Sequence, residues 1–129
     1  MYSNLNMKSD LKEIQSTLKE MLNAQAPALR IRHDEAVKFE ACGTKEVMQG
    51  KQKVDGHYFA SVIPKPKDIR LYFFPIYTHV EEFSISPDLK KYLKGKSCFH
   101  IKNLKPAVEQ EIKAMIEKGV EIYNRDGLI

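Results

Sequence analysis

The sequence has no long run of apolar residues. Its densest apolar stretches, 58–63 and 71–77, are far shorter than the roughly 20 residues that span a bilayer, and both have the composition of β-strands. The first ten residues are polar, with neither the basic start nor the apolar core of a signal peptide. These absences predict a protein of the cytoplasm that is neither anchored in a membrane nor exported.

Cysteine is also scarce, since only Cys42 and Cys98 occur in 129 residues. A single domain of about this length buries roughly two-thirds of its unfolded surface, so a core forms without disulfide bridges. In a reducing compartment we expect two free thiols. We expect one domain over residues 1–129, with residues 1–8 flexible.

Known catalytic and phosphate-binding motifs are missing. The glycines are isolated, so no dinucleotide fingerprint or phosphate-binding loop is present, and there is no GxSxG elbow, HExxH helix or CxxC pair. The sequence therefore predicts no enzyme and no bound cofactor.

The charge is unevenly distributed. Twenty-one basic and 17 acidic residues give a net charge of +4, which is too mild for a dedicated nucleic-acid-binding protein. Residues 89–108 contain no acidic side chain, but they contain Lys90, Lys91, Lys94, Lys96, Lys102 and Lys105. Such a stretch is typical either of a solvated surface or of a site for phosphate or carboxylate.

Three segments have helical patterns. Leu11, Ile14, Leu18, Met21 and Leu22 recur at helical spacing after the capping residues Ser9 and Asp10, and this helix should end before Pro27. Ser86, Pro87 and Asp88 begin a short helix that Gly95 can close. The last helix begins near Pro106, with an apolar stripe at Val108, Ile112, Met115, Ile116, Val120 and Tyr123 that Gly119 interrupts.

The other segments indicate strands at 37–41, 46–49, 57–63, 69–76 and 96–102, joined mainly by short turns. In the first, Val37, Phe39 and Ala41 should share one face, and Lys38 and Glu40 the other. In the last, Cys98 and His100 should share one face, and Phe99 and Ile101 the other. The predicted fold is α+β: a mostly antiparallel sheet of four to six strands, with the N- and C-terminal helices packed on one face and a short helix before the last strand.

Polar residues near the ends of two predicted strands form a candidate site. His79 either binds a ligand or shapes a turn. Cys98 and His100 suggest a nucleophile, a metal site, or only a buried thiol beside a groove histidine. Lys96, beside the flexible Gly95, could hold an anion, or it is simply solvated.

Three strings of residues suggest a family. Residues 72–79 (YFFPIYTH), 93–101 (LKGKSCFHI) and 55–60 (DGHYFA) resemble the bacterial YdhG-like domain of unknown function, and the resemblance runs from Leu11 to the end of the chain. It implies a compact α+β domain with helices flanking a sheet.

Part of the wider group is similar to frataxin-like iron chaperones, which bind iron through an acidic ridge on the first helix. Here Lys8, Lys12 and Lys19 interleave with Asp10, Glu13 and Glu20. Hard cations bind clustered oxygens, so the resemblance assigns no iron ligand in this chain.

Together these observations favour a non-enzymatic module that binds a small anionic ligand or a protein, as a monomer or a homodimer. The candidate groove comprises Tyr77, His79, Lys96, Cys98 and His100, which requires His79 and His100 to lie on the same side of the molecule. The first alternative is a frataxin-like iron or metal chaperone. The second alternative is an enzyme that uses Cys98. The third is a nucleic-acid-binding protein.

Overall fold

The structure is a computed structural model that describes residues 7–129. Its helices are α1 (Leu11–Asn23), α2 (Pro75–Thr78), α3 (Pro87–Lys90) and α4 (Pro106–Arg125), with a 3-10 turn at Val80–Glu82. Its strands are β1 (Arg30–Glu35), β2 (Lys38–Cys42), β3 (Val47–Gln49), β4 (Gln52–Val54), β5 (Tyr58–Pro64), β6 (Ile69–Phe73), β7 (Leu93–Lys94) and β8 (Cys98–Ile101).

Six strands form one antiparallel sheet in the order β1-β2-β5-β6-β8-β7, and β3 and β4 form a separate hairpin. Most neighbouring strands are joined by short turns, which require antiparallel pairing. The predicted α+β class is confirmed. In chain order, an N-terminal helix precedes the strands of the antiparallel sheet and a C-terminal helix follows them.

Helix α1 forms where the apolar spacing predicts it. Asp10 Oδ1 accepts a hydrogen bond from the Lys12 amide at 3.1 Å and caps the first turn. Ile14, Leu18 and Leu22 are fully buried along one stripe. The amphipathic pattern and its cap therefore determine this helix locally.

Helix α4 packs on the same face of the sheet as α1. Lys19 of α1 lies over the Phe39 ring, and Gly119 of α4 lies against Phe59 and Phe73. A Cβ atom added to Gly119 would lie 2.8 Å from Phe73 Cζ. The glycine that interrupts the apolar stripe thus lies where the helix backbone packs directly against two aromatic rings of the sheet.

The strand predicted at 37–41 begins one residue later, at Lys38. Val37 is 69% exposed because it lies in the turn that joins β1 to β2. Strand β1 itself was not predicted, because its sequence RIRHDE is mostly charged. The backbone hydrogen bonds of its antiparallel pairing with β2 make it a strand, although its composition does not indicate one.

The strand predicted at 69–76 is three residues too long. Strand β6 ends at Phe73, and Pro75 begins the single turn of α2. Proline has no amide hydrogen to give to a ladder, but its fixed φ suits the first turn of a helix. Likewise, α3 ends at Lys90, and Lys94 belongs to the edge strand β7.

The predicted flexible segment 1–8 falls mostly on residues 1–6, which lie outside the described residues. Lys8 forms a bridge with Leu104 through backbone hydrogen bonds of 2.9 and 2.8 Å. Its ammonium group also lies 2.6 Å from Glu109 Oε1. Among residues 7–129, no helix is both long enough and apolar enough to cross a membrane.

Candidate ligand-binding groove

A groove lies between two segments that flank the end of β6. One is α2 with the 3-10 turn after it, and the other is the connection from α3 to β8. The Phe73 amide donates to the Ser97 carbonyl at 2.8 Å, which holds the second segment beside the first. The groove has a volume of about 390 Å³ and is lined by Ile76, Tyr77, Val80, Leu93, Gly95 and Lys96.

Tyr77 and Lys96 face each other in this groove. Lys96 Nζ lies 5.4 Å from the centroid of the Tyr77 ring, within the range of a cation–π contact. Gly95 has a φ of 77°, the left-handed conformation expected at this position, and it turns the chain so that Lys96 lies at the groove. One cation therefore lies above an otherwise apolar floor.

A second hollow of about 310 Å³ continues the groove, lined by Ile76, Val80, Phe83, Ser84, Ile85, Lys90, Leu93 and Lys96. The ionisable side chains of both hollows are cations, apart from the Tyr77 phenol. Within residues 7–129, neither Lys90 nor Lys96 forms a salt bridge. The groove is therefore both apolar and positively charged.

His79 connects the wall of the groove to the end of α4. Its Nε2 lies 2.8 Å from Asp126 Oδ2, and its Nδ1 lies 2.8 Å from Thr78 Oγ1. Arg125 hydrogen-bonds Asp126 as well, and it holds the pKa of that carboxyl below its usual value. His79 thus joins the segment after α2 to the end of α4.

Cys98 and His100 lie on the face of the sheet that carries no helix in the described part of the chain. Cys98 is opposite Tyr72 and His100 is opposite Arg70, and Phe99 is fully buried on the other face, as the alternation predicts. Burial raises the pKa of the Cys98 thiol. Cys98 therefore remains a protonated thiol at neutral pH.

Asp68 lies directly before β6 and contacts the side chains of Arg70 and His100. Arg70 Nε lies 3.2 Å from one of its oxygens, and His100 Nδ1 lies 3.8 Å from the other. His100 is therefore beside the beginning of β6, whereas His79 follows its end.

The five predicted residues consequently occupy three places. Tyr77 and Lys96 meet in the groove, His79 contacts the end of α4, and Cys98 and His100 lie on the sheet. The groove brings together two of the five.

The apolar floor of the groove was not predicted from the sequence. Val80 is 64% exposed although it is apolar, and it stands between His79 and the acidic residues 81 and 82. An apolar residue set among charged neighbours was the available signal. Ile76 and Leu93 gave none, because buried core residues have the same character.

The helix-free face of the sheet is polar. Glu40 is almost fully buried there, where Arg32 Nε and Lys38 Nζ lie 2.7 and 3.2 Å from its oxygens. Burial raises the pKa of Glu40, but these two cations outweigh it and leave the pKa below its usual value. Beside it, the Tyr58 hydroxyl donates to Ser61 Oγ at 2.8 Å.

Metal-binding side chains are dispersed in this fold. Across residues 7–129, no three His, Cys, Asp or Glu side chains are grouped so that they could hold a metal ion.

The two cysteines are too far apart for a disulfide bond. Cys42 on β2 and Cys98 on β8 are separated by β5 and β6. Three strand spacings amount to roughly 14 Å, about twice the longest separation that a disulfide allows between Cα atoms.

The groove thus combines exposed apolar side chains with lysines that form no salt bridge among the described residues. Its floor can bury the apolar part of a ligand, and its lysines can pair with an anion.

In comparisons with known proteins, no family model, no curated protein and no solved structure matches this chain.

Proposed function

We propose that this protein is a non-enzymatic binding module whose ligand is an anion with an apolar portion. The observation that carries the proposal is the position of Lys96 over the exposed ring of Tyr77, at the edge of an apolar groove. The apolar portion lies on the floor, and the anionic group pairs with Lys96. Of the five residues of the predicted site, this proposal retains Tyr77 and Lys96.

A ligand in the groove gains binding free energy from two sources. Tyr77 is 48% exposed and Val80 is 64% exposed, so a ligand that covers them removes apolar surface from water. Each Å² of that surface is worth about 25 cal/mol. An ammonium group over an aromatic ring contributes about 0.5–1 kcal/mol at exposed sites and more when a ligand excludes water.

The chemistry of Cys98 supports the non-enzymatic part of the proposal. A nucleophilic cysteine needs a lowered pKa, and burial raises that of Cys98. Its cross-strand neighbours are Tyr72 on β6 and Lys94 on β7, and burial of the thiol outweighs the opposing effect of the nearby Arg70 charge on its pKa.

Other parts of the functional assignment stay predictions. They are membership of the YdhG-like family, a cytoplasmic location, the absence of a cofactor and a monomeric or homodimeric state. The separation of Cys42 from Cys98 in the sheet supports the expectation of free thiols, which suits a reducing compartment.

Thermal unfolding with a ligand panel tests the proposal. The panel contains aliphatic and aromatic carboxylates and organic phosphates. A ligand that binds only the folded state stabilises it by about 2.7 kcal/mol at a hundredfold excess over Kd. We expect such a shift with at least one organic anion, and we expect Lys96→Ala and Tyr77→Ala to reduce it.

Lys51→Ala is the matched control, because Lys51 is an exposed lysine in the β3–β4 hairpin that does not line the groove. A shift that Lys51→Ala reduces as much as Lys96→Ala does would mean that net charge, and not the groove, holds the anion. No shift with any organic anion, alongside a shift with ferrous iron or zinc, would replace this proposal by the frataxin-like alternative. No particular group of residues favours that alternative.

A further inference from the structure

The groove extends beyond its two hollows. A third hollow of about 240 Å³ is lined by Glu82, Phe83, Ser84, Ile85, Glu111, Ala114, Met115 and Lys118. It shares Phe83, Ser84 and Ile85 with the second hollow, which in turn shares Ile76, Val80, Leu93 and Lys96 with the first. The three hollows therefore form one continuous track along residues 76–85.

Each hollow of this track has a lysine at its side. Lys96 Nζ lies over Tyr77, Lys90 borders the second hollow, and Lys118 Nζ lies 5.9 Å from the centroid of the Phe83 ring. In the part of the chain that the structure describes, none of the three forms a salt bridge with a carboxylate. Their positive charges are available to a ligand.

The two carboxylates of the track already have partners. Glu82 accepts two hydrogen bonds from Arg125, at 2.7 and 2.8 Å. Glu111 accepts from the Ser86 amide at 2.7 Å and from the Ser86 hydroxyl at 2.5 Å. Arg125 pairs the charge of Glu82, whereas Glu111 is held by the neutral donors of Ser86 and has no cationic partner among the described residues. An incoming chain therefore meets three unpaired lysines and one carboxylate that is already hydrogen-bonded within the fold.

The shape of the track distinguishes between kinds of ligand. Small molecules bind in concave sites that enclose most of their surface. Here Tyr77 and Val80 stand exposed on an open surface, and the hollows follow one another in a line. A peptide chain fills such a line, because its successive side chains enter successive pockets.

We propose that the ligand is a segment of a partner protein rich in acidic and apolar residues. Its apolar side chains occupy the three hollows, and its Asp or Glu side chains pair with Lys96, Lys90 and Lys118. This inference rests on the proposed function and names the partner class of the same groove. The floor favours a peptide over a nucleic acid, because successive bases stack on a series of exposed aromatic rings, whereas this track exposes the Tyr77 ring beside the aliphatic Val80.

Fluorescence anisotropy with labelled synthetic peptides tests the inference on the full chain. The first probe is a short peptide of leucine and glutamate residues. Two matched probes replace every glutamate by glutamine or every leucine by serine. We expect the first probe to bind, with an affinity that falls as salt is added, and both matched probes to bind at least about tenfold more weakly.

Substitutions then locate the peptide on the track. We expect Tyr77→Ala to weaken binding about fivefold or more, and Lys96→Ala and Lys118→Ala about two- to fivefold each. Lys51→Ala, in the β3–β4 hairpin and outside the lining of the three hollows, should leave the affinity unchanged. Circular dichroism of each variant checks that it is folded.

Lys118 separates this inference from the broader proposal. A peptide that follows the whole track needs Lys118, whereas a small anion beside Lys96 does not. Lys118→Ala should therefore weaken peptide binding and leave any thermal shift with a small organic anion unchanged.

Three results would overturn the inference. If small anions bind through Lys96 but no peptide binds, the partner class is wrong and the proposed function stands. If neither binds, both fail. If the peptide binds equally well to Lys96→Ala, Lys118→Ala and Lys51→Ala, it binds elsewhere on the molecule, and the track is not its site.

Discussion

The guanidinium group of Arg125 binds the carboxylate of Glu82 through two parallel hydrogen bonds, Nη1 to Oε1 at 2.7 Å and Nη2 to Oε2 at 2.8 Å. Glu82 closes the 3-10 turn that forms one wall of the groove, and Arg125 is the last residue of α4. Since His79 also contacts Asp126, two side-chain contacts hold this wall against the end of α4.

Arg125→Met should release this wall. Arg125 holds the pKa of Glu82 below its usual value of 4.5, so in the variant that pKa should rise towards 4.5 in an NMR titration. Amide hydrogen exchange at residues 79–83 should become faster, because the segment loses its two hydrogen bonds to α4. Lys113→Met, on the exposed side of the same helix, is the control and should change neither quantity.

The sign of the pH dependence follows from the lowered pKa values of Glu82 and Asp126. The folded state binds protons less readily there than the unfolded state does. The stabilisation from this cluster is therefore complete above the usual pKa values of 4.5 and 3.8, and it is lost as the pH falls through the lowered values. If Arg125→Met shows the same acid dependence of unfolding as the parent protein, Arg125 is not the cause.

Gly119→Ala should destabilise the protein although alanine is the better helix former. The gain in helix propensity is about 1 kcal/mol. The added methyl group would lie 2.8 Å from Phe73 Cζ and 3.0 Å from two atoms of the Phe59 ring, and both rings are fully buried. Overpacking of this kind costs about 1–3 kcal/mol, so we expect a net loss of up to about 2 kcal/mol.

Urea unfolding measures this loss. Glu117→Ala, at an exposed position of the same helix, should stay within about 0.5 kcal/mol of the parent protein. A Gly119→Ala variant that is more stable than the parent would mean that the rings move aside and that propensity decides the outcome.

His57 should make stability depend on pH below neutrality. Its Nδ1 lies 2.9 Å from the Tyr123 hydroxyl, which donates to the Tyr58 carbonyl, and burial lowers the pKa of His57 below 6.5. The unfolded state therefore binds a proton at higher pH than the folded state. Stability should be greatest above pH 6.5 and should decline as the pH falls from 6.5 towards the lowered pKa.

Unfolding free energies measured across this range test the assignment to His57. The slope should disappear in His57→Gln and persist in His33→Gln, whose histidine lies on the edge strand β1. A slope that survives in His57→Gln would assign the effect to another group.

Cys98 should react slowly with alkylating reagents. Because burial raises the pKa of its thiol, its thiolate fraction at neutral pH is below that of a free thiol. Cys42 is fully buried and should react only when the chain unfolds. Iodoacetamide kinetics on the parent protein and on Cys98→Ser separate the two, and a rate for Cys98 above that of a model thiol would revive the enzyme interpretation.

The local elements were determined by the sequence alone. The stripe at Ile14, Leu18 and Leu22 follows the period of a helix, so it specifies α1 without reference to the rest of the chain. The Ser86 side chain accepts from the Leu89 amide at 3.1 Å, as its capping role predicts. Alternation along β8 likewise separated Cys98 from the buried Phe99, because successive side chains of a strand point to opposite faces.

The tertiary structure decided what depends on residues far apart in the chain. Strand β1 exists because β2 pairs with it, and its charged sequence has no strand signature of its own. His79 contacts Asp126, 47 residues away, and no local pattern specifies that partner. The groove arises because the Ser97 carbonyl accepts the Phe73 amide and brings Lys96 over Tyr77. Periodicity and caps act within a few residues, whereas a binding surface is formed by segments that only the folded chain brings into contact.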